Sequence, residues 1–117
     1  MKRVLITGIT GLIGKAVLRK ILLKHPDWQV TALVRPGTDP SRFSEFLSQI
    51  ETVEIDLCDI PKLVSFGKER SFDYVVHIGA LRGGRKFDRE TYYKANVMST
   101  EQLAEACLAT GAELIFC

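Results

Sequence analysis

Residues 3–14 read RVLITGITGLIG: a short β-branched apolar run that passes directly into Gly8, Gly11 and Gly14. Arg3 to Thr7 has the composition of a buried strand. Leu12 to Lys24 then carries Ile13, Val17 and Ile21 at i, i+4 and i+8, with Ala16 beside them, and predicts one apolar helix face. Pro26 ends that helix, because the residue before a proline is pushed out of the α region. The same alternation repeats to the end of the chain. Strands are expected at 29–34 (QVTALV), 52–55, 72–78 (FDYVVHI) and 112–117 (AELIFC). Between them, Ser41 is expected to cap a short helix to Ile50 with Phe43, Phe46, Leu47 and Ile50 inward. A third helix starts at Asp59 or Pro61. The fourth runs from Asp88 to Thr110, with Tyr92, Asn96, Leu103 and Cys107 on one stripe and Gly111 as its left-handed terminator. Strand and helix in strict alternation with right-handed crossovers give an α/β fold, a doubly wound open parallel sheet of order 3-2-1-4-5.

Composition removes most other readings. At 117 residues there is room for one domain, and 46% hydrophobic with 26% charged residues is ordinary for a globular protein. A net charge of +2 is too balanced for a nucleic-acid footprint. No apolar run approaches the roughly 20 residues of a membrane span, and Val4-Leu5-Ile6 is too short for a secretory h-region. Cys58, Cys107 and Cys117 are odd in number and far apart, which suits neither a disulfide framework nor a metal site and implies a reducing, cytoplasmic setting.

The glycine spacing, T-G-x-x-G-x-x-G from Thr7 to Gly14, carries the chemistry. Gly8 makes the tight turn out of the strand, Gly11 lets main chain approach a diphosphate, and Gly14 lets the helix pack on the sheet. The helix N-terminus adds free N–H groups and the positive end of its dipole. A glycine-rich strand-to-helix turn that binds nothing is the competing reading, set against the cost of three glycines so close to a helix. This spacing resembles the extended branch of the short-chain dehydrogenase/reductase superfamily, the branch of nucleotide-sugar epimerases, dehydratases and reductases. The resemblance implies a Rossmann domain holding a dinucleotide on Gly8, Thr10, Gly11, Leu12, Ile13 and Gly14.

The residue that reads the adenosine ribose is expected after the second strand, about 20 residues past the glycines. Arg35 stands there, with no acid. A guanidinium pairs with a 2′-phosphate where a carboxylate repels it, so NADP is favoured over NAD; a solvated loop charge is the alternative. Lys15 and Arg42 carry suitable charges, but nothing in the sequence places them. The resemblance assigns Asp56 and Leu57 to the adenine, although Asp56 equally suits a cap and Asp59 is the better cap. It places Gly79, Ala80 and Leu81 beneath the nicotinamide side, with Gly79 where the family often has alanine. His77 reads as a packed, hydrogen-bonded strand residue. Asn96, in a segment similar to the family's N-V-x-G-T with Ser99 for the glycine, either fixes the strand-four loop beside the cofactor or is an ordinary buried polar group. The basic cluster Arg82 to Arg89 is either a solvated loop or a border to a nucleotide-sugar phosphate, and its one Arg-Gly-Gly does not make an RNA-binding segment.

What the resemblance requires for catalysis is a Tyr-x-x-x-Lys pair and a serine after strand five. Tyr74, Tyr92 and Tyr93 are followed four residues on by Ile78, Asn96 and Val97, so no catalytic residue is assigned. The expectation is the N-terminal, dinucleotide-binding piece of a longer enzyme, inactive by itself. A non-catalytic dinucleotide sensor of the atypical branch is the alternative. The apolar final strand, with one edge unpaired, is expected to associate with a second copy.

Overall fold

The computed structural model describes residues 1–81 and 87–117. The elements, in order, are β1 (Arg3–Thr7), α1 (Leu12–Lys24), β2 (Gln29–Val34), a 3₁₀ segment (Pro40–Phe46), β3 (Glu51–Glu54), α2 (Ile60–Glu69) and β4 (Tyr74–His77). A long helix then runs as α3 (Arg89–Tyr93), a π turn (Lys94–Met98) and α4 (Ser99–Thr110), before β5 (Glu113–Phe116). All strands are parallel and lie in the expected order, β3-β2-β1-β4-β5. Of the basic cluster, residues 82–86 lie outside the described residues.

The central strand shows why an uninterrupted apolar run belongs there. Val4 and Ile6 pack with Leu18 of α1, while Leu5, between them, packs with Leu63 and Phe66 of α2 and Leu103 of α4. A strand buried on both faces needs apolar residues at successive positions, not alternating ones. At the N-terminal ends of the strands, Trp28 stacks on His25 with ring centroids 3.7 Å apart and lies 5.4 Å from Tyr74.

Three local expectations are corrected. The α1 face is centred on Gly14 and Leu18, with Val17, Ile21 and Leu22 at its margins, whereas Ile13 and Ala16 are exposed. Gly14 is the point of closest approach to the sheet: a Cβ built there would lie 1.8 Å from Gly8 O. That contact fixes the helix rotation and turns Ile13 away from the core. The second helix is a 3₁₀ segment capped by Asp39, whose side chain accepts from Ser41 N at 3.0 Å, so Ser41 is not the cap. Phe43 and Phe46 are both buried, and their spacing of three matches the 3₁₀ repeat. Phe43, at φ −139°, breaks regular helix, and Leu47 is exposed. The fourth helix keeps its expected span, with Gly111 (φ 78°) at its end, but its buried line is Ala95, Ser99, Leu103 and Cys107.

That helix is tied to the sheet by a buried polar chain. Thr7 Oγ1 accepts from the N–H groups of Ile78 (3.1 Å) and Gly79 (2.8 Å). Its own proton is then free to be donated to His77 Nδ1, 2.7 Å away. The His77 ring proton is thereby assigned to Nε2, which donates to Thr100 Oγ1 at 3.0 Å, and Thr100 donates to Asn96 O at 2.8 Å. Ser99 likewise donates to Ala95 O. Two successive hydroxyls bonded to carbonyls one turn back bend helices, and here they border the π turn. His77 is 1% exposed, and burial lowers its pKa to about 4. A charged ring would also point a second proton at a hydroxyl that already accepts two bonds.

Two outcomes follow from this packing. Gly14→Ala is expected to cost about 3 kcal/mol or more, because the obstruction is backbone and α1 must lift off the sheet; an unchanged melting temperature would contradict it. Because His77 titrates near 4 when folded and near its ordinary 6.5 when unfolded, the unfolded chain binds the extra proton between those values. Denaturant stability should therefore fall as pH drops from 6.5 to 4, by an amount on the order of 3 kcal/mol. His77→Gln should flatten that fall. A wild-type profile level across the window would refute the assignment.

Candidate functional site

Parallel strands bring their C-terminal ends to one side of the sheet, and β1 is where the chain order reverses, with β2 on one flank and β4 on the other. A cleft of about 240 Å³ opens there. Its walls hold Gly8 and Thr10 from the β1–α1 turn, Arg35 after β2, Asp56 and Leu57 after β3, and Gly79, Ala80 and Leu81 after β4. Gly11, Leu12, Ile13 and Gly14 occupy the turn and first helical residues beside it, with Leu12 and Ile13 exposed. Asn96 stands behind the cleft. Ile9, Thr38 and Arg42 also line it. Arg42 was noticed for its charge alone, and Thr38 gave no signal except its place after Pro36-Gly37.

The three turn glycines differ in what demands them. Gly8 has φ +85°, and its absent Cβ would lie 2.7 Å from Gly79 N. Gly14 is excluded from carrying a side chain by Gly8 O. Gly11 is different: it sits at φ −88°, ψ 169°, which any residue adopts, and an added Cβ would meet only Gly8 O at 3.7 Å, an ordinary contact. The fold therefore does not need glycine at 11, and a side chain there would fill open space beside the N-terminus of α1. No side chain caps that terminus among the described residues, and its first turn holds no acid. The N–H groups of the first turn, which have no intrahelical partner, face a site suited to an anion. This donor set fits the diphosphate of a dinucleotide.

Arg35 is held by its backbone, and its head lies over an aromatic ring. Arg35-Pro36-Gly37-Thr38 is a turn in which Thr38 N and Thr38 Oγ1 both donate to Arg35 O, at 3.1 and 2.6 Å, and Gly37 takes φ +83°. Proline followed by a positive-φ glycine is the type II pattern. Among the described residues the guanidinium has no carboxylate partner, and its Cζ lies 5.9 Å from the centre of the Phe87 ring.

Opposite, Asp56 Oδ1 accepts from Cys58 N at 2.9 Å, while Asp59 caps α2 by accepting from Lys62 N. Burial, then the Asp56 carboxylate, pushes the Cys58 thiol up, so it stays protonated at neutral pH. Gly79 is close-packed: a Cβ there would lie 3.0 Å from Thr7 Oγ1 and 3.1 Å from Leu57 Cδ1. Asn96 clamps Leu81, its Oδ1 accepting from Leu81 N at 2.8 Å and its Nδ2 donating to Leu81 O at 2.9 Å. The amide is fully used on backbone, and the loop after β4 is fixed by it. No helix of the described residues is long and apolar enough to cross a membrane.

Comparison with known proteins agrees with the fold. The chain is 31% identical over 112 residues to the hybrid PKS-NRPS synthetase tasS of Hapsidospora irregularis, an alignment covering 95% of this chain and 3% of the synthetase. The ADP-L-glycero-D-manno-heptose-6-epimerase of Helicobacter pylori superposes with a TM-score of 0.83 at 23% identity, over 98% of this chain and 38% of the epimerase. A thiolation-reductase di-domain from an archaeal non-ribosomal peptide synthetase gives 0.77 at 18% identity, over 98% of this chain and 34% of that one. The chain thus spans only a minor part of each of these proteins. The pattern of the NAD dependent epimerase/dehydratase family matches residues 4–117, almost the whole chain, and the protein belongs to that family.

Proposed function

We propose that the chain binds NADP(H), and that it is the dinucleotide-binding part, residues 1–117, of a larger reductase. The observation that carries this is Gly11, a glycine that the fold does not require, beside an uncapped helix terminus. In this reading the N–H groups of Leu12 and Ile13 meet the diphosphate, Gly11, whose own N–H donates to Gly8 O, leaves the space for it, and Thr10 borders it. Arg35, assisted by Arg42, pairs with the 2′-phosphate. Asp56 keeps one carboxylate oxygen for the adenine amino group while the other holds Cys58 N, and Leu57 covers the ring. Gly79, Ala80 and Leu81 form the floor towards the nicotinamide, held level by Asn96. When bound, NADP(H) supplies a hydride donor or acceptor. The residues of this chain bind and orient it, and the proton-transfer groups are supplied by another part of the protein, so this chain alone is inactive.

A reductase is favoured by the 31% sequence likeness to a hybrid PKS-NRPS synthetase taken together with the fold shared with a thiolation-reductase di-domain of another peptide synthetase. The second reading, a parent acting on a nucleotide sugar, draws on the closer superposition with the epimerase. A tyrosine and lysine four residues apart beyond Cys117 would support either enzyme, and their absence would leave a dinucleotide sensor. The working location in this reading is the cytoplasm. We extend the proposal to self-association through β5, an edge strand on which Ile115 and Phe116 are exposed.

Calorimetric titration with NADP⁺ and NAD⁺ tests the binding reading. Gly11→Ala should melt as wild type yet lose most affinity for both dinucleotides, whereas Arg35→Asp should weaken NADP⁺ at least tenfold, about 1.4 kcal/mol, and NAD⁺ much less. Equal losses with Arg35→Asp would remove the NADP preference, and undiminished binding by Gly11→Ala would remove the diphosphate site. Sedimentation should show dimers or larger species at high concentration that Phe116→Lys disperses; a wild-type monomer would end the edge-strand proposal.

A further inference from the structure

Phe87 is a large apolar side chain left 39% exposed, and it touches the one cation that the proposed function makes decisive. Its own position is well determined. Asp88 is the N-cap of α3, its carboxylate accepting from Thr91 N at 2.8 Å. Phe87 is the residue before that cap, and its ring meets Tyr92 edge to face, with centroids 5.9 Å apart and planes at 86°. An apolar residue before the N-cap packed on the fourth helical residue is a hydrophobic staple, which sets the angle at which the chain enters a helix. The staple therefore fixes the Phe87 ring from the β4 flank of the cleft. The ring reaches across to Arg35 on the β2 flank, 5.9 Å from its Cζ. Arg35 has its carbonyl locked in the Pro36-Gly37 turn, but its side chain has several rotatable bonds and no carboxylate partner among the described residues. A guanidinium over an aromatic face is attracted by the ring quadrupole yet keeps its N–H groups free at the edge.

We propose that Phe87 is a positioning residue: stapled to Tyr92, it holds the Arg35 guanidinium at the mouth of the cleft and so sets the preference for a phosphorylated over an unphosphorylated adenosine ribose. This rests on the reading of Arg35 as the 2′-phosphate partner. An arginine held before the ligand arrives loses less side-chain freedom on binding, and the gain goes to the ligand that uses it.

The test is calorimetric titration of the 117-residue chain with NADP⁺ and NAD⁺ as separate probes. Phe87→Ala and Phe87→Leu should each weaken NADP⁺ about two- to fivefold and leave NAD⁺ unchanged. Phe87→Tyr should restore the wild-type ratio, because it keeps the aromatic face. Tyr92→Ala, which removes the other half of the staple, should act like Phe87→Ala. In an Arg35→Gln background the Phe87→Ala effect should vanish. Melting temperatures without dinucleotide should fall by no more than a few degrees, since only the staple is lost and Phe87 lies outside both core clusters. Losses equal for the two dinucleotides, no loss, or no rescue by tyrosine would overturn the positioning role. If Arg35→Gln itself leaves NADP⁺ binding intact, the 2′-phosphate reading falls first. If it weakens NADP⁺ while Phe87→Ala does not, only the role of Phe87 falls. A wild-type chain that takes up neither dinucleotide overturns both.

Discussion

The contact of Gly14 with the carbonyl of Gly8 governs this molecule. It is a backbone-to-backbone approach with no room for one carbon atom, and it sets how α1 leaves the first strand. Helix rotation, the outward turn of Ile13, and the direction in which the first-turn N–H groups point all follow from it. A helix packed even slightly farther out would keep its apolar contacts and still lose the aim of those groups. The glycine at 8 serves the same geometry from the other side, by abutting Gly79 and so joining the β1 turn to the loop after β4.

That junction is reinforced from behind. The hydroxyl of Thr7 gathers the N–H groups of Ile78 and Gly79, and the chain continues through His77 and Thr100 to Asn96, which returns to hold Leu81. Two walls of the cleft are thus members of one hydrogen-bonded assembly, with each polar atom of the chain given a partner. A buried network is rigid when fully satisfied and costly when it is not. No buried side-chain nitrogen or oxygen among the described residues is left without a partner.

The strand order and the placing of the glycine turn were legible because both rest on local pattern: apolar runs at successive positions, glycines where strand meets helix, Gly111 at a helix end. The inward face of α1 was misread because periodicity counts bulky residues, and the deciding residue, Gly14, has no side chain. The 3₁₀ segment was misread because Phe43 and Phe46 fit an α-helix and a 3₁₀ turn nearly equally, and only the backbone break at Phe43 separates them. Asn96 was left between two roles, and the structure shows it clamping Leu81, which is the backbone part of both. The meeting of Phe87 with Arg35 left no trace, since two side chains so distant in sequence are brought together by the whole sheet. Thr38 was missed for a related reason: its importance comes from the turn it closes, not from its own chemistry.

The single tryptophan lies at the far end of this arrangement. Trp28 is stacked on His25 and near Tyr74 where β2 and β4 begin, while the cleft opens where they finish. The length of the sheet therefore keeps the indole out of contact with any occupant of the crevice, and its emission changes when the stacked packing is lost. With an oxidised dinucleotide, which does not absorb indole emission, the native fluorophore therefore records unfolding whether the crevice is full or empty.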